Sequence, residues 1–269
     1  MNVLLQISDP HFGTERPQIL QALCELVRQQ QPGVLVLSGD ITQRARRAQF
    51  DAAQRFVREL AIPQVLALPG NHDIPLFNLW RRLFDPYAGF RRAFGHQLEP
   101  VLDTPDLLAI AVKTTRRRRH CDGEVSPAQV ERVASRLRQA QPRQLRVVVT
   151  HQPVDVPRAQ DEHDLLHGHA EAAQTWVEAG ADLLMGGHIH LPFVRPLQQR
   201  FAALKRRAWC VQAGTAVSAR VRAEAPNSVN LLRYAGGLPP RCVVERWDHT
   251  VATGHFECVQ RDDLAVQRS

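Results

Sequence analysis

The sequence predicts an α/β fold, and two patterns lead to this prediction. In the first two-thirds of the chain, short apolar runs with many β-branched residues alternate with longer segments in which apolar residues recur every three or four positions. The short apolar runs are typical of buried strands, and the segments with apolar residues every three or four positions are typical of helices that pack on a sheet. After Pro196, strand-like runs follow one another with turn residues between them. Sheets flanked by helices would accommodate both patterns.

The predicted elements follow in chain order. The early strands are Val3–Ser8, Gly33–Ser38, Gln64–Leu68, Leu107–Lys113, Leu145–Thr150 and Ala181–Met185. The helices between them are Pro17–Gln30, Arg46–Leu60, Pro127–Gln139 and Ala170–Ala179. Ser126 is suited to cap the third helix and Gly180 to end the fourth, because a hydroxyl satisfies free N–H groups and glycine tolerates positive φ.

The later runs predict an antiparallel meander. They are Ala208–Ala213, Ser228–Tyr234, Cys242–Asp248 and Val251–Val259. We expect residues 197–261 to be mainly antiparallel strands that complete the second sheet, within a single domain over residues 1–261. Residues 262–269 are polar and are expected to form a frayed tail.

Composition narrows the class of protein. No apolar run approaches the roughly 18 residues that span a bilayer, and the first residues read as a strand rather than a signal peptide, so the expected location is the cytoplasm. Five scattered cysteines favour free thiols over disulfides or a thiolate zinc site. The formal charge of +7 favours anionic partners.

Five short polar motifs each follow directly after a predicted strand. They are Asp9-Pro10-His11, Gly39-Asp40, Gly70-Asn71-His72-Asp73, His151 and Gly187-His188-Ile189-His190. Because ligands of open α/β sheets bind beyond the carboxyl ends of the strands, these five ends can converge on one volume. Carboxylate, imidazole and carboxamide groups without thiolate favour Mn, Fe or Zn. The adjacent glycines predict tight turns with positive φ.

This ordered set resembles the signature of the calcineurin-like metallophosphoesterase family over roughly residues 1–195. The resemblance implies a four-layer α/β/β/α sandwich of two mixed β-sheets flanked by helices. It also implies two metal ions, one bound by Asp9, His11 and His190 and the other by Asn71, His151 and His188, with Asp40 as a bridge. His72 would act as the general acid, and Asp73 would orient its imidazole.

The implied function is a dinuclear metal-dependent phosphoesterase that acts on phosphodiesters or phosphomonoesters. Two ions about 3.5–4 Å apart can share a water and lower its pKa. The bridging hydroxide would attack phosphorus, and His72 would protonate the departing alkoxide. Mn and Fe are the expected metals, with Zn or Co as alternatives. Residues 7–13 and 68–73 resemble the bacterial branch of class III cyclic-nucleotide phosphodiesterases, which adds cyclic nucleotides to the expected substrates.

Residues 74–95 predict a helical insertion at the rim of the site, rich in aromatic and basic residues. Six of the chain's 16 aromatic residues lie in residues 74–94 and alternate with four arginines. Three interpretations remain open: a helical pair packed on the domain, a homodimer contact or cap over the substrate, and a surface for lipid or membrane. The third would favour a lipid-linked phosphodiester or pyrophosphate as substrate.

Arg116 and His163 are candidates for substrate binding. Arg116 begins a basic run after a predicted strand, which could hold a phosphate, and His163 lies between the predicted ligands His151 and His188. The alternative to substrate binding, for both residues, is a polar loop position that faces solvent. We expect a small anionic phosphate ester as substrate and no stable nucleic-acid partner, although the positive charge leaves a nuclease as an alternative. A non-enzymatic scaffold that binds metal is disfavoured, because such scaffolds usually lose ligands and here every expected position is filled.

Overall fold

The computed structural model describes residues 1–119, 121–222 and 225–268, and its strands form two six-stranded sheets. The strands are β1 Asn2–Ile7, β2 Val34–Ser38, β3 Gln64–Leu68, β4 Val101–Asp103, β5 Leu107–Ala111, β6 Leu145–Val149, β7 Leu183–Gly186, β8 Phe193–Pro196, β9 Trp209–Gln212, β10 Ser228–Ala235, β11 Arg241–Thr250 and β12 His255–Leu264. The helices are α1 Pro17–Gln30, α2 Arg47–Leu60, α3 Leu79–Phe84, α4 Ala88–Phe94, α5 Pro127–Arg138 and α6 His169–Glu178.

Both sheets are mixed. The first has the order β12-β11-β10-β1-β2-β3, and β1, β2 and β3 run parallel. The second has the order β4-β5-β6-β7-β9-β8, with β5, β6, β7 and β9 parallel. The parallel strands of each sheet therefore end at one edge, and this edge positions the loops of the site.

Three apolar clusters define four layers. Leu4 and Val36 of the first sheet pack against Val147 and Met185 of the second, so the sheets lie face to face. Helices α1 and α2 cover the outer face of the first sheet. Helices α5 and α6, with the fully buried Trp176, cover the outer face of the second. The predicted α/β/β/α sandwich is confirmed.

The predicted meander is present, but its place differs from the prediction. Strands β10, β11 and β12 join the first sheet, because β10 pairs antiparallel with the edge of β1 that β2 leaves free. Of the predicted late strands, only β9 joins the second sheet. The expectation that residues 197–261 complete the second sheet is therefore wrong for most of this segment.

Three further boundaries are corrected by the structure. Residues 251–254 form a turn that ends at Gly254, with φ 73°, so the predicted strand Val251–Val259 begins only at β12. The short strands β4 and β8 were not predicted. Strand β12 continues to Leu264 and Val266 is buried, so the predicted tail 262–269 is partly ordered on the sheet; its last residue lies outside the described residues.

The insertion over residues 74–95 contains two short helices with opposite environments. Helix α4 packs on α2: Phe90 is fully buried, and Gln54 Nε2 donates to the Ala93 carbonyl at 2.7 Å. Helix α3 is fully described and contains no buried residue. The interpretation of a packed helical pair thus holds for α4 only. Among the described residues, no helix combines the length and apolarity needed to cross a bilayer.

Candidate metal centre

Five strand ends bring the predicted ligands together. The loops after β1, β2 and β3 supply Asp9, Asp40 and Asn71, while the loops after β6 and β7 supply His151 and His188. Three groups of ligand atoms lie within 4.8 Å of one another in each group. The groups are Asp9, His11 and His190; His11, Asp40 and His72; and Asp40, His151 and His188.

The first cluster joins β1 to the loop after β7. His11 Nε2 lies 3.2 Å from His190 Nε2, and Asp9 Oδ1 lies 3.4 Å from the same His190 atom. Asp9 Oδ2 accepts from Ser8 Oγ and from the His188 backbone N–H. Asp9 Oδ1 is buried without a hydrogen-bond partner among the described residues. Since a buried carboxylate oxygen without a hydrogen bond is costly, the cluster fits a cation.

The second cluster lies between the two sheets. His151 Nε2 is 3.3 Å from Asp40 Oδ1 and 3.2 Å from Asn71 Oδ1. His188 completes the group with Asp40 and His151. His151 Nδ1 donates to the Ser38 carbonyl at 2.8 Å, as ring nitrogens opposite a metal-binding lone pair usually do. The Nε2 side of the His151 ring is thereby directed into the cluster.

Asp40 lies between the two clusters. Its Oδ1 faces His151 Nε2, while its Oδ2 lies 3.9 Å from His11 Nε2. The carboxylate is 2 % exposed, and its Oδ1 also accepts from the His72 backbone N–H at 2.8 Å. A carboxylate in this position could contribute one oxygen to a cation in each cluster.

The titratable groups of the centre balance one another's charge. Burial acts to raise the pKa of Asp40, but the neighbouring His151 and other imidazoles hold it well below its usual range. Burial acts to lower the pKa of His151, yet Asp40 outweighs it and raises that pKa to about 9. Burial likewise acts to lower the pKa of His190, but Asp9 outweighs it, and the pKa of His190 is raised. The imidazoles and the two carboxylates thus favour each other's charged forms, and bound cations would take over the stabilisation of the carboxylates.

Backbone strain concentrates at this edge. Eight non-glycine residues in the described part of the chain have positive φ, and five are predicted ligands. Those five are Asp9, His11, Asp40, His188 and His190. Left-handed conformations cost L-residues about 1–2 kcal/mol, so such clustering marks a site whose geometry the fold enforces. The predicted positive φ thus falls mainly on the ligands rather than on their glycines.

The adjacent glycines serve chiefly to provide space. A Cβ at Gly187 would lie 1.8 Å from Ser8 Oγ and 2.5 Å from Asp9 Oδ2. Gly39 is required for two reasons. Its φ is +99°, a conformation that favours glycine, and a Cβ there would lie 2.4 Å from His151 Nδ1. The two sheets approach each other this closely only because these positions carry no side chain.

Comparison with known proteins agrees with this geometry. A family model described as calcineurin-like phosphoesterase matches residues 3–192. The chain belongs to this family. No curated protein sequence matches the chain significantly.

Solved structures share the fold at low sequence identity. A dimetal phosphatase from Danio rerio is 15% identical, with 99% of each chain covered and a TM-score of 0.66. The purple acid phosphatase PPD1 from yellow lupin is 13% identical with a TM-score of 0.67; the match covers 96% of this chain and 52% of that one. Vps29 from Entamoeba histolytica, solved with zinc, is 12% identical, with 98% and 99% covered and a TM-score of 0.52.

In this calcineurin-like phosphoesterase, His72 lies at the mouth of the centre. Its side chain is 15% exposed, and its Nε2 lies 4.0 Å from Asp40 Oδ2. Its Nδ1 lies 2.9 Å from the Gln43 carbonyl, to which it donates. Burial is the largest influence and lowers the pKa of His72, while Asp40 acts in the opposite direction.

The predicted role of Asp73 is wrong. Its carboxylate accepts from the backbone N–H groups of Ile41, Thr42 and Gly70 rather than from the His72 ring. The reason is local: residues 71–73 form one 3-10 turn, in which the Asp73 side chain folds back towards Gly70. Burial, followed by the neighbouring Asp40, raises the pKa of Asp73 to about 7. Asp73 thus fixes the loop after β3 to the loop after β2, and the Gln43 carbonyl orients the imidazole.

The two candidates for substrate binding differ in position. The Arg116 guanidinium is held by the Lys113 and Thr115 carbonyls and by Gln129 Oε1, so it supports its own loop. His163 is largely exposed, and its Nε2 lies 3.5 Å from Asp164 Oδ2. The other oxygen of Asp164 lies 3.6 Å from the predicted ligand His188, which places His163 at the rim.

Two residues at the centre were missed by sequence reasoning. Arg220 Nη1 lies 3.0 Å from His72 Nε2, and the Arg220 carbonyl accepts from His190 Nδ1. Asp164 contacts His188. The position of Arg220 could have been suspected from the sequence, because Arg220 lies in the loop after β9. Strand β9 is parallel to β7 and ends at the same edge as the other strands of the site.

Proposed function

We propose that this protein hydrolyses phosphate esters, with phosphodiesters, including cyclic nucleotides, as the first class of substrate and phosphomonoesters as the second. The observation that carries the proposal is the position of Asp40, whose two oxygens face two separate ligand clusters. A single structural ion would need one cluster only. The likeness to a dimetal phosphatase fold supports the same conclusion.

The donor sets fit two hard or borderline cations. Asp9, His11 and His190 would hold one, and Asn71, His151 and His188 the other. Mn or Fe suits this mixture of oxygen and imidazole donors, with Zn or Co as alternatives. When bound, such a pair supplies Lewis-acid polarisation of the phosphate and an activated water. The protein itself fixes the ligand lone pairs through the Ser38 and Arg220 carbonyls, which hold the opposite ring nitrogens of His151 and His190.

His72 would supply the proton to the leaving group. Because its Nδ1–H donates to the Gln43 carbonyl, its Nε2 is left as the group that faces the mouth. Burial lowers the pKa of His72 below its usual 6.5, and an anionic substrate beside the ring would favour its protonated form.

Arg220 would bind the phosphate beside His72. Its Nη1 contacts His72 Nε2 and lies 3.2 Å from Gln43 Oε1, so the guanidinium already borders the reaction volume. A guanidinium pairs with two phosphate oxygens at once, which positions the ester as well as attracting it. The loop holds the residue in place, since the Arg220 N–H donates to Ser218 Oγ and its carbonyl accepts from Thr215 Oγ1.

The decisive experiment is a substrate panel on protein reconstituted with manganese. We expect hydrolysis of bis-p-nitrophenyl phosphate and cyclic AMP, and slower hydrolysis of p-nitrophenyl phosphate. Chelated protein is the control and should be inactive. Cleavage of single-stranded DNA with a steep salt dependence would favour a nuclease instead. Metal binding with no activity on any phosphate ester would contradict the proposal and favour a scaffold.

A further inference from the structure

Helix α3 and the segment directly before it expose a group of large apolar side chains. They are Phe77, Leu79, Trp80, Leu83 and Phe84, exposed by 80%, 72%, 76%, 52% and 69%. We call these five residues the α3 patch. The rings of Trp80 and Phe84 stack at 5.0 Å between centroids. A contiguous apolar surface of this kind is uncommon on a monomeric protein and marks a place of interaction.

The hydrogen bonds that hold α3 do not involve these side chains. Helix α3 is held through its backbone: Arg117 Nη1 donates to the Leu83 carbonyl at 2.7 Å, and Asn78 Oδ1 accepts from the Arg81 N–H at 3.0 Å. Arg82 Nη2 donates to the Arg119 carbonyl at 2.9 Å and so ties the helix to the neighbouring loop. The apolar side chains are therefore presented outwards by a helix anchored from behind.

The charge around the patch is positive. Exposed arginines border it at Arg44, Arg81, Arg117 and Arg118. The Arg44 guanidinium lies 6.0 Å from the centroid of the Phe77 ring, and Arg117 and Arg118 line one groove with Leu79 and Leu83. The segments 74–84 and 113–119 contain no acidic residue, and the adjacent Asp85 is already paired with Arg91.

These charges decide between the partners that an apolar patch can have. In a symmetric dimer the patch would face itself, which would bring arginines against arginines, while the adjacent Asp85 is already paired with Arg91. An anionic lipid surface complements both features, because aromatic side chains favour the bilayer interface and arginines favour anionic head groups. We propose that the α3 patch docks the protein on the surface of an anionic phospholipid bilayer. This proposal uses no residue of the metal centre and stands independently of the proposed function.

The test is sedimentation of the full chain with vesicles. We expect binding to vesicles of phosphatidylcholine mixed with phosphatidylglycerol at least about tenfold tighter than to phosphatidylcholine alone. The double variant Trp80→Ser/Phe84→Ser should lose this binding. The matched control is Val251→Ser/Val259→Ser, which removes exposed apolar side chains on a different surface and should bind as the unaltered protein does.

The charge contribution is tested separately. Arg81→Gln/Arg118→Gln should weaken binding to the anionic vesicles and reduce its sensitivity to salt. Arg55→Gln/Arg138→Gln removes two exposed arginines from α2 and α5 and serves as its control. If both double variants lose vesicle binding equally, the loss reflects net charge in general, and the assignment of binding to the α3 patch is overturned.

Fluorescence reports on the patch without disrupting it. Among the four tryptophans, Trp176 is buried, Trp209 and Trp247 are half-buried, and Trp80 is exposed. Vesicle binding should shift the emission to the blue, and Trp80→Phe should remove the shift while sedimentation persists. Absence of binding to any vesicle would overturn the proposal. So would a concentration-dependent dimer, measured without lipid, that Trp80→Ser/Phe84→Ser dissociates.

Discussion

The metal centre and helix α3 depart from the usual distribution of side chains in opposite directions. At the centre, Asp9, His11, Asp40 and His151 are almost completely removed from solvent although they can carry charge. On α3, large apolar side chains remain in solvent although the core could have stabilised them. Burial of an unpaired charge and exposure of an apolar surface both cost stability. Each region therefore indicates a partner from outside the chain.

The two regions also differ in how the chain constructs them. The centre is assembled from loops at both sheets, spread from residue 9 to residue 220, so its geometry depends on the whole fold. The α3 patch is one continuous segment, anchored locally through its backbone. Changes at the centre should therefore affect metal content, catalysis and stability together, whereas changes on α3 should affect only interactions at the surface.

The largest effect is expected from Asp40→Asn. The amide can face one cluster as an acceptor, but it removes the negative charge that serves both. We expect metal content to fall from two ions to at most one and activity to fall by about 10³-fold or more. Elemental analysis and the bis-p-nitrophenyl phosphate assay measure the two effects. Asp263→Asn, an exposed aspartate on β12, is the control and should change neither.

His72→Ala should separate catalysis from metal binding. Since the ring lies at the mouth, the metal content should stay at two ions. Hydrolysis of an ester with an alkoxide leaving group should fall by about 10²–10⁴-fold, while a nitrophenolate, which leaves without a proton, should be much less affected. Equal losses for both leaving groups would argue against the acid role.

The sequence predicted that the candidate ligands would converge, because their motifs follow strands directly. Residues at the ends of neighbouring parallel strands are forced to one edge, so motif order and strand order suffice to place Asp9, Asp40 and His188. The partner of His72 was not predictable in this way. Whether Asp73 reaches the ring depends on the direction of one 3-10 turn, and that turn directs the carboxylate to Gly70 instead.

Arg220 was missed for a related reason. Seven residues separate it from the end of β9, and its approach to His72 depends on how the loop packs rather than on any local motif. The prediction of which sheet β10 joins was wrong for a similar reason. An alternating pattern predicts a strand but does not specify the sheet edge that the strand joins. The free edge of β1 decided that choice.

Arg220→Gln should weaken substrate binding more than turnover. A hydrogen bond to a charged group contributes about 1.5–3 kcal/mol, which corresponds to roughly a tenfold or greater rise in KM. Competition by inorganic phosphate, measured as an inhibition constant, should weaken to the same extent, since it reports binding without chemistry. Arg55→Gln, which alters an exposed arginine on α2, should leave both constants unchanged. A fall in kcat alone would indicate instead that the arginine acts through His72.

Metal binding should release protons. Because the pKa of His151 is raised to about 9, its ring is largely protonated in metal-free protein at neutral pH, and the raised pKa of His190 favours its protonated form as well. Each must lose its proton before its Nε2 can bind a cation, so apparent affinity for manganese should increase with pH up to about 9. Calorimetry in buffers of different ionisation enthalpy measures the release. His72→Gln should preserve it, and metal uptake without release would contradict the assigned protonation.

The smallest expected effect sharpens the contrast between α3 and α4. Phe90→Ala, at a fully buried position on α4, should lower the free energy of unfolding by about 3–5 kcal/mol. Phe84→Ala removes the same atoms from a side chain that is 69% exposed and should change that free energy by no more than about 0.5 kcal/mol. Urea denaturation of both variants without lipid measures the difference. A large loss for Phe84→Ala would show that the α3 patch stabilises the fold, and its exposed aromatic rings would then give no reason to expect a partner from outside the chain.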